Sequence, residues 1–223
     1  MPFTAVLLDL DGTLLDTIPD LANAANAMRQ ELGLPVLAPE TIATYVGKGT
    51  EHLVMRALPN NPAGQQASPD EVRHGLEIFE RHYHQHNGKA ATIYPGALEG
   101  LQAFNRAGMK MAVVTNKPTE FTLPLLKHFG MDRYFEHVVS GDTCTQKKPH
   151  PMPLLHACDL LGVRSQDALA IGDSVNDALA ARAAKITVLA VPYGYNEGMD
   201  VRTLEVDDIV MSIAEAAQWA ARH

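Results

Sequence analysis

Residues 4–13 read TAVLLDLDGT, an apolar run that ends on two aspartates and a glycine. The run from Thr4 to Asp9 is continuous and ends at a turn, which predicts a strand buried on both faces of a parallel sheet. Gly12 permits a sharp backbone turn directly after this strand. Asp9 and Asp11 are therefore expected to leave the strand end together and to point into one crevice.

The rest of the chain alternates apolar runs with helical patterns. The predicted strands after the first are Met111–Val114, His137–Val139, Ala168–Ile171 and Thr187–Val191. The predicted helices between and after them are Ala97–Ala107, Glu120–Phe129, Pro151–Leu161, Asn176–Ala184 and Ile213–Arg222. This alternation predicts an α/β fold, a doubly wound, Rossmann-like parallel sheet with helices on both faces. Ligands of such sheets bind outside the carboxyl ends of the strands, where the strand order reverses.

One stretch breaks the alternation. Residues 16–91 contain no convincing strand and read as helices joined by loops. The helical patterns and the loop among them are Ile18–Leu32, Thr50–Leu58, Pro69–His86 and the loop Pro59–Pro69. We therefore expect a catalytic core of residues 1–15 and 92–223, interrupted by an all-helical cap domain of residues 16–91.

The composition is that of an acidic, folded protein. Of 223 residues, 46% are hydrophobic and 20% are charged, and the formal net charge is −8. This balance excludes a disordered chain and disfavours nucleic acid and anionic membranes as partners. Any phosphate site must therefore supply its own local positive charge.

The cysteines and the hydropathy indicate a location. Cys144 and Cys158 are the only cysteines, and free thiols in a cytoplasmic protein are favoured over a disulfide. No apolar run approaches the ~18 residues of a membrane span. The prediction is a cytoplasmic protein with no membrane partner.

Carboxylates follow two of the predicted strands. Asp9 and Asp11 follow the first, while Asp173 and Asp177 lie in the segment Gly172-Asp173-Ser174-Val175-Asn176-Asp177. Buried carboxylates are costly unless a cation or hydrogen bonds compensate them. A set of ligands made only of oxygens suits Mg²⁺, which also binds alongside a substrate phosphate.

Donors to oxyanions follow two further elements. Thr115 and Asn116 end a predicted strand, and Lys148 lies in the segment Lys147-Lys148-Pro149. By themselves, Thr115 and Asn116 are also typical of an ordinary turn or helix cap, and the basic segment of a solvated loop. Both alternatives stay open on the residues alone.

Taken in chain order, these segments resemble the haloacid dehalogenase superfamily, specifically its phosphatases with a helical cap inserted after the first strand. The matching motifs are DxDGT, a Thr at the second strand, Lys before Pro, and GDxxND. The resemblance covers the whole chain and implies a phosphoric monoester hydrolase that uses Mg²⁺. Its partner would be a small phosphorylated substrate, and the chain would act as a monomer or homodimer.

The resemblance also implies roles for residues. Asp9 would be the nucleophile that forms an aspartyl-phosphate, and Asp11 would protonate the leaving alkoxide and later accept a proton from water. The implied Mg²⁺ ligands are Asp9, the backbone carbonyl of Asp11, and Asp173, with Asp177 ordering the residues around the ion. The residues implied to bind the phosphoryl oxygens are Thr115, Asn116 and Lys148.

Asp11 separates the chemistries of the superfamily. The dehalogenases of the superfamily lack an aspartate two residues after the nucleophile. This chain has Asp11 at that position, so a dehalogenase is disfavoured. Phosphomutases keep both aspartates, and Thr13 favours a phosphatase over them only mildly. A sugar-phosphate phosphatase or phosphomutase therefore remains the alternative enzyme, and a phosphate-binding module without turnover the alternative of another class.

We expect residues of the cap to determine which substrate is recognised. Gly47 and Lys48 lie in a glycine-flanked loop that is not a P-loop, because Ile42 occupies the first glycine position of that motif. The segment Pro192–Gly198 and the opening DLDGTLLDT resemble the bacterial phosphoglycolate phosphatases. We hypothesise that Lys48 pairs with the carboxylate of 2-phosphoglycolate; the alternative is a turn with a solvated lysine.

Overall fold

The computed structural model describes residues 3–59 and 67–223. Six strands form a parallel sheet in the order β5-β4-β1-β6-β7-β8, and two short strands form a separate antiparallel ribbon. The sheet strands are β1 (Ala5–Leu8), β4 (Lys110–Val114), β5 (His137–Val139), β6 (Ala168–Gly172), β7 (Thr187–Ala190) and β8 (Asp208–Ile209). The ribbon consists of β2 (Leu15–Asp16) and β3 (Thr92–Ile93).

Nine α-helices occur in the described ranges. The first four are α1 (Ile18–Glu31), α2 (Pro39–Ala43), α3 (Thr50–Ala57) and α4 (Pro69–His86). The others are α5 (Ala97–Arg106), α6 (Thr119–His128), α7 (Met152–Leu161), α8 (Val175–Ala184) and α9 (Ile213–Arg222). None of these helices has the length and apolar character needed to cross a membrane.

The sheet is covered on both faces, as the apolar run of β1 predicts. Side chains alternate along a strand, so Val6 and Leu8 pack into one hydrophobic cluster, which includes residues of α5, α6 and α9. Ala5 and Leu7 pack into the other, which includes residues of α7 and α8. The predicted doubly wound α/β class is confirmed.

Helices α1–α4 pack around a third hydrophobic cluster of their own. Met28 and Phe79 are fully buried in it, and Phe121 of α6 joins it from the sheet side. The segment that enters the helical region and the segment that leaves it lie side by side in the ribbon, since Leu15 pairs with Ile93. An inserted all-helical cap on a parallel-sheet core is therefore the observed architecture.

A buried carboxylate holds the chain where it leaves the helical insertion. Asp20 of α1 accepts hydrogen bonds from the backbone N–H groups of Gly88 (2.7 Å), Ala90 (2.7 Å) and Ala91 (3.2 Å). Three charge-assisted bonds to one carboxylate fix the return segment against the first cap helix. These bonds therefore fix the segment through which the chain returns from the cap to the core.

The sequence analysis missed four short elements. The strands β2, β3 and β8 have two residues each, too few to show a period, and α2 has five. The long elements agree to within a few residues at their ends. Most of the predicted loop Pro59–Pro69 lies outside the described residues. Near its end, Ser68 caps α4 by accepting from the N–H of Glu71.

Candidate active site

The site lies at the carboxyl ends of β1 and β6, which are neighbours in the sheet. Leu8 and Ile171 are paired in register, so the chain delivers Asp9 and Asp173 side by side. Asp177, one helical turn into α8, joins them, and each of the three offers a carboxylate oxygen within 4.8 Å of the others. Strand order reverses at this point, as expected for a ligand site.

Two glycines make room for Asp173. Gly12 has φ +85°, and a Cβ there would lie 2.5 Å from Asp173 Oδ2. A Cβ on Gly194 would lie 2.2 Å from Asp173 Cβ. Thr13 Oγ1 donates to Oδ1 (3.0 Å) and the N–H of Tyr195 donates to Oδ2 (2.7 Å). The carboxylate is thus held by close backbone on two sides.

Lys148 supplies the local positive charge. Its ammonium is buried and donates to the carbonyl of Val114 (2.7 Å) and to Asp177 Oδ1 (2.6 Å), and it lies 2.9 Å from Asp9 Oδ1. Burial alone would lower the pKa of Lys148, but Asp177 and Asp9 outweigh it and hold that pKa above its usual value. The lysine is therefore charged at neutral pH.

The carboxylates outnumber this lysine. Burial raises the pKa of Asp9 well above its usual range, and Asp177 and Asp173 raise it further while Lys148 opposes them. Burial and Asp177 likewise raise the pKa of Asp173 to about 7. The cluster holds more negative charge than its protein surroundings stabilise.

A divalent cation fits this arrangement. Asp9 Oδ1 is buried and accepts no hydrogen bond from the described residues, because its contact with Lys148 has ion-pair distance without hydrogen-bond geometry. A carboxylate oxygen that accepts no hydrogen bond, beside a second, crowded carboxylate, is a donor set for a hard ion such as Mg²⁺.

Both carboxylate oxygens of Asp177 accept hydrogen bonds from the protein, unlike Oδ1 of Asp9. Its Oδ2 accepts from the N–H (3.1 Å) and Oγ (2.7 Å) of Ser174, while Oδ1 accepts from Lys148. A Cβ on Gly172 would lie 2.2 Å from Asp177 Cγ. Both oxygens thus already serve to hold Lys148 and the start of α8.

Thr115 and Asn116 lie at the end of β4, next to β1. Thr115 lines the cleft, and its Oγ1 accepts from the N–H of Lys117 (3.2 Å). Asn116 Oδ1 accepts from the N–H of Lys148 (2.9 Å), while its Nδ2 donates to the carbonyls of Lys148 (2.9 Å) and Gly47 (2.8 Å). Both Nδ2 hydrogens of Asn116 are therefore used, one on Lys148 and one on the cap.

Asp11 lines the same cleft as Asp9 but takes its contacts from other residues. Its Oδ1 accepts from Thr17 Oγ1 (2.6 Å) and from Lys117 Nζ (3.0 Å). The ammonium of Lys117 also donates to the hydroxyl of Tyr83 in α4, whose pKa burial raises to about 12. The sequence analysis passed over Lys117, although it directly follows Asn116 in the same segment.

Lys48 does not lie free in solvent. Its Nζ is 2.8 Å from Oε2 of Glu197. Glu197 lies in the core segment that also contains Tyr193 and Tyr195. Glu197 has φ +51°, a backbone conformation that a residue with a side chain rarely adopts. This pairing was missed because the partners are 149 positions apart, and no local pattern connects them.

The cleft between core and cap is lined from both sides and is narrow, with a cavity volume of about 40 Å³. The core contributes Asp9, Asp11, Thr115, Asn116 and Lys117, and the cap contributes Leu21, Val46, Gly47, Gly49, Thr50 and Leu53. The ammonium of Lys117 and the side chains of Thr115 and Asn116 in this lining favour an anionic group at the core side.

Comparison with known proteins agrees with this geometry. The family model described as haloacid dehalogenase-like hydrolase matches residues 6–191. The chain belongs to this family, whose phosphatases are generally Mg²⁺-dependent. The predicted family membership is thus confirmed.

The relatives are more specific. A phosphoglycolate phosphatase of Nitrosospira multiformis is 51% identical, covering 98% of this chain and 96% of that protein. One of Thiobacillus denitrificans is 49% identical, covering 97% and 95%. A crystal structure of a predicted phosphoglycolate phosphatase from Haemophilus somnus has a TM-score of 0.93 at 32% identity, covering 99% of both chains.

Proposed function

We propose that this protein is a Mg²⁺-dependent phosphomonoesterase that converts 2-phosphoglycolate to glycolate and phosphate. The observation that carries the proposal is the buried Oδ1 of Asp9, which accepts no hydrogen bond from the described residues and lies beside Lys148 and Asp173. The names and high identity of the relatives support the choice of substrate.

The first chemical step is attack by Asp9. An Asp9 oxygen forms a bond to phosphorus while the ester P–O bond breaks and its electron pair passes to the leaving oxygen. Asp11 gives that oxygen a proton, which releases glycolate and leaves an aspartyl-phosphate on Asp9. Water then attacks phosphorus and gives a proton to Asp11, while the bond between the Asp9 oxygen and phosphorus breaks and its electron pair returns to the Asp9 carboxylate. Phosphate leaves, and Asp9 is again ionised and Asp11 again protonated.

A bound Mg²⁺ would be held by Asp9, the backbone carbonyl of Asp11, and Asp173, and it would neutralise the charge of the phosphoryl group. Asp177 would keep Lys148 in place rather than bind the ion, since both its oxygens are engaged. Lys148 would offset the charge of the equatorial oxygens during transfer.

Two further residues would contact the phosphoryl oxygens. Thr115 lines the cleft and can turn its hydroxyl towards a phosphate. For Asn116, a phosphoryl contact requires that Nδ2 release the Gly47 carbonyl, which we expect when substrate enters beneath the cap. Asn116 therefore links occupation of the phosphate site to the position of the Gly47 loop.

Gly47 and Lys48 are proposed to recognise the substrate. Lys48 already binds a carboxylate, that of Glu197, and its neighbours Gly47 and Gly49 line the cleft. The carboxylate of 2-phosphoglycolate would replace Glu197 as its partner. The cap would then close on the charge that distinguishes this substrate from a sugar phosphate.

The proposed roles correspond to two domains, a core that transfers the phosphoryl group and a cap that recognises the substrate. We infer that residues 1–15 and 92–223 form the catalytic core and residues 16–91 the cap, because the ribbon Leu15–Asp16 with Thr92–Ile93 lies at the junction. The site is built from one chain, which is compatible with a monomer or a homodimer. Free Cys144 and Cys158 support a cytoplasmic location.

The test is phosphate release from purified protein. With Mg²⁺, kcat/KM should be at least about tenfold higher for 2-phosphoglycolate than for glucose 6-phosphate, since only the former offers a carboxylate to Lys48. Chelation with EDTA and the substitution Asp9→Asn should each reduce turnover by more than about 10³-fold. Phosphate release that survives Asp9→Asn, or isomerisation without phosphate release, would contradict the proposal.

A further inference from the structure

Each proposed catalytic aspartate lies beside a buried lysine, and only one of these lysines has an assigned role. Lys148 serves Asp9, whereas Lys117 lies 3.0 Å from Asp11 and only 3% of its side chain is exposed. Lys117 ends no helix and pairs with no other carboxylate among the described residues. Its burial is therefore explained by Asp11 and by what holds it from the other side.

That other side is the cap. The hydroxyl of Tyr83 accepts from Lys117 Nζ, and the ammonium lies 4.7 Å from the centre of the Tyr83 ring. Tyr83 is fully buried in α4, where it packs against Phe79 and Phe121. The position of Lys117 is consequently tied to the docking of the longest cap helix.

The contacts on Asp11 are one-sided. Thr17 and Lys117 both donate to Oδ1, and no hydrogen bond from the described residues reaches Oδ2. Two donors occupy Oδ1, so Oδ2 is the oxygen of Asp11 that is left to face a leaving group. Thr17 adjoins α1, so both donors are set by the cap or its junction.

We propose that Lys117, held by Tyr83 of the cap, is a positioning residue that aims Oδ2 of Asp11 at the leaving-group oxygen, so that proton transfer requires a seated cap. The inference rests on the proposed function, because it presupposes that Asp11 is the acid. It assigns α4 a part in catalysis, through Tyr83 and Lys117.

The leaving group provides the test. The alkoxide of 2-phosphoglycolate needs a proton to depart, whereas p-nitrophenolate leaves without one. Because kcat/KM reports only the steps up to release of the alcohol, it isolates the acid role from the later base role. A misaimed acid should therefore lower kcat/KM for the first substrate and spare the second.

The variants are Lys117→Met and Tyr83→Phe. For 2-phosphoglycolate we expect kcat/KM to fall about 10²-fold in Lys117→Met and about tenfold in Tyr83→Phe, with the loss in kcat. For p-nitrophenyl phosphate the fall should stay below about threefold in both. Tyr83→Phe removes a single oxygen, so it keeps the test valid if Lys117→Met does not fold.

Matched controls are Lys127→Met on the exposed face of α6 and Tyr134→Phe, whose hydroxyl contacts Arg133 at the surface. Both should retain wild-type kinetics. The Mg²⁺ dissociation constant of Lys117→Met, from titration calorimetry, should stay within about threefold of wild type.

Equal losses on the two substrates, or a loss confined to KM, would overturn the inference and leave the proposed function standing. Weakened Mg²⁺ binding in Lys117→Met would also overturn it. A wild-type protein that hydrolyses neither substrate with Mg²⁺ present would instead refute the proposed function, and the inference with it.

Discussion

The nucleophile half of the site and the acid half are built alike but anchored differently. Lys148, beside Asp9, is held by the carbonyl of Val114 and by Asp177, both in the core. Lys117, beside Asp11, is held by Tyr83 of the cap. Asp9 and its lysine therefore take their contacts from the core, while Asp11 acquires its full set of contacts only with the cap in place.

The largest expected effect comes from Lys148→Met, which removes the cation of the nucleophile half. Activity should fall about 10²–10³-fold for both 2-phosphoglycolate and p-nitrophenyl phosphate, because both present the same phosphoryl group. Asp9 and Asp177 would lose their ion-pair partner, so the free energy of unfolding in EDTA should drop by about 3–5 kcal/mol. Urea unfolding and steady-state kinetics measure the two quantities.

This variant separates the two lysines. A loss in Lys148→Met that depended on the leaving group, like the loss expected for Lys117→Met, would break the distinction drawn between them. Lys127→Met again serves as the control for removing a lysine from the surface.

A smaller effect is expected from Gly194→Ala, which acts on the core half alone. The new Cβ would overlap Asp173 Cβ at 2.2 Å, so the carboxylate must move. Mg²⁺ affinity should weaken about 10–100-fold, as for other residues that orient a metal ligand. Titration calorimetry with Mg²⁺ measures this.

Gly108→Ala is the control for this substitution. Gly108 has φ +72° and no atom within 4 Å of the new Cβ, so it should lose stability without losing affinity for Mg²⁺. Unchanged Mg²⁺ affinity in Gly194→Ala would argue that Asp173 does not bind the ion.

The smallest effect is expected at the ion pair between Lys48 and Glu197. Glu197→Gln should lower KM for 2-phosphoglycolate about two- to fivefold, because it removes a carboxylate that competes for a partly exposed Lys48. Lys48→Ala should raise KM for 2-phosphoglycolate by a larger factor than KM for p-nitrophenyl phosphate. Equal factors on the two substrates would assign Lys48 to the general charge of the cleft.

Sequence reasoning succeeded where the information is local. Asp9 and Asp173 each follow an apolar run, and the rule that parallel strands end at one edge brings them together. The long helices and strands carry enough periods to be recognised. The roles assigned to these residues remain predictions, although their placement at one edge of the sheet is what those roles require.

The remaining features depend on how the cap docks, which no local pattern encodes. Tyr83 and Lys117 are 34 positions apart, and Lys48 and Glu197 are 149 apart. Each partner alone reads as an ordinary core tyrosine, surface glutamate or basic residue in a loop. The two-residue strands of the ribbon, which fix the junction, are likewise too short to predict.

The central claim, that Asp9 receives the phosphoryl group, is tested most directly by trapping it. Asp11→Asn removes the base that activates water, while p-nitrophenyl phosphate needs no acid, so this pair should accumulate the covalent intermediate with Mg²⁺ present. Acid quench followed by peptide mass spectrometry should find one phosphoryl group on the peptide that contains Asp9. Release of p-nitrophenol with that peptide unmodified, or with phosphate on another residue, would contradict the account.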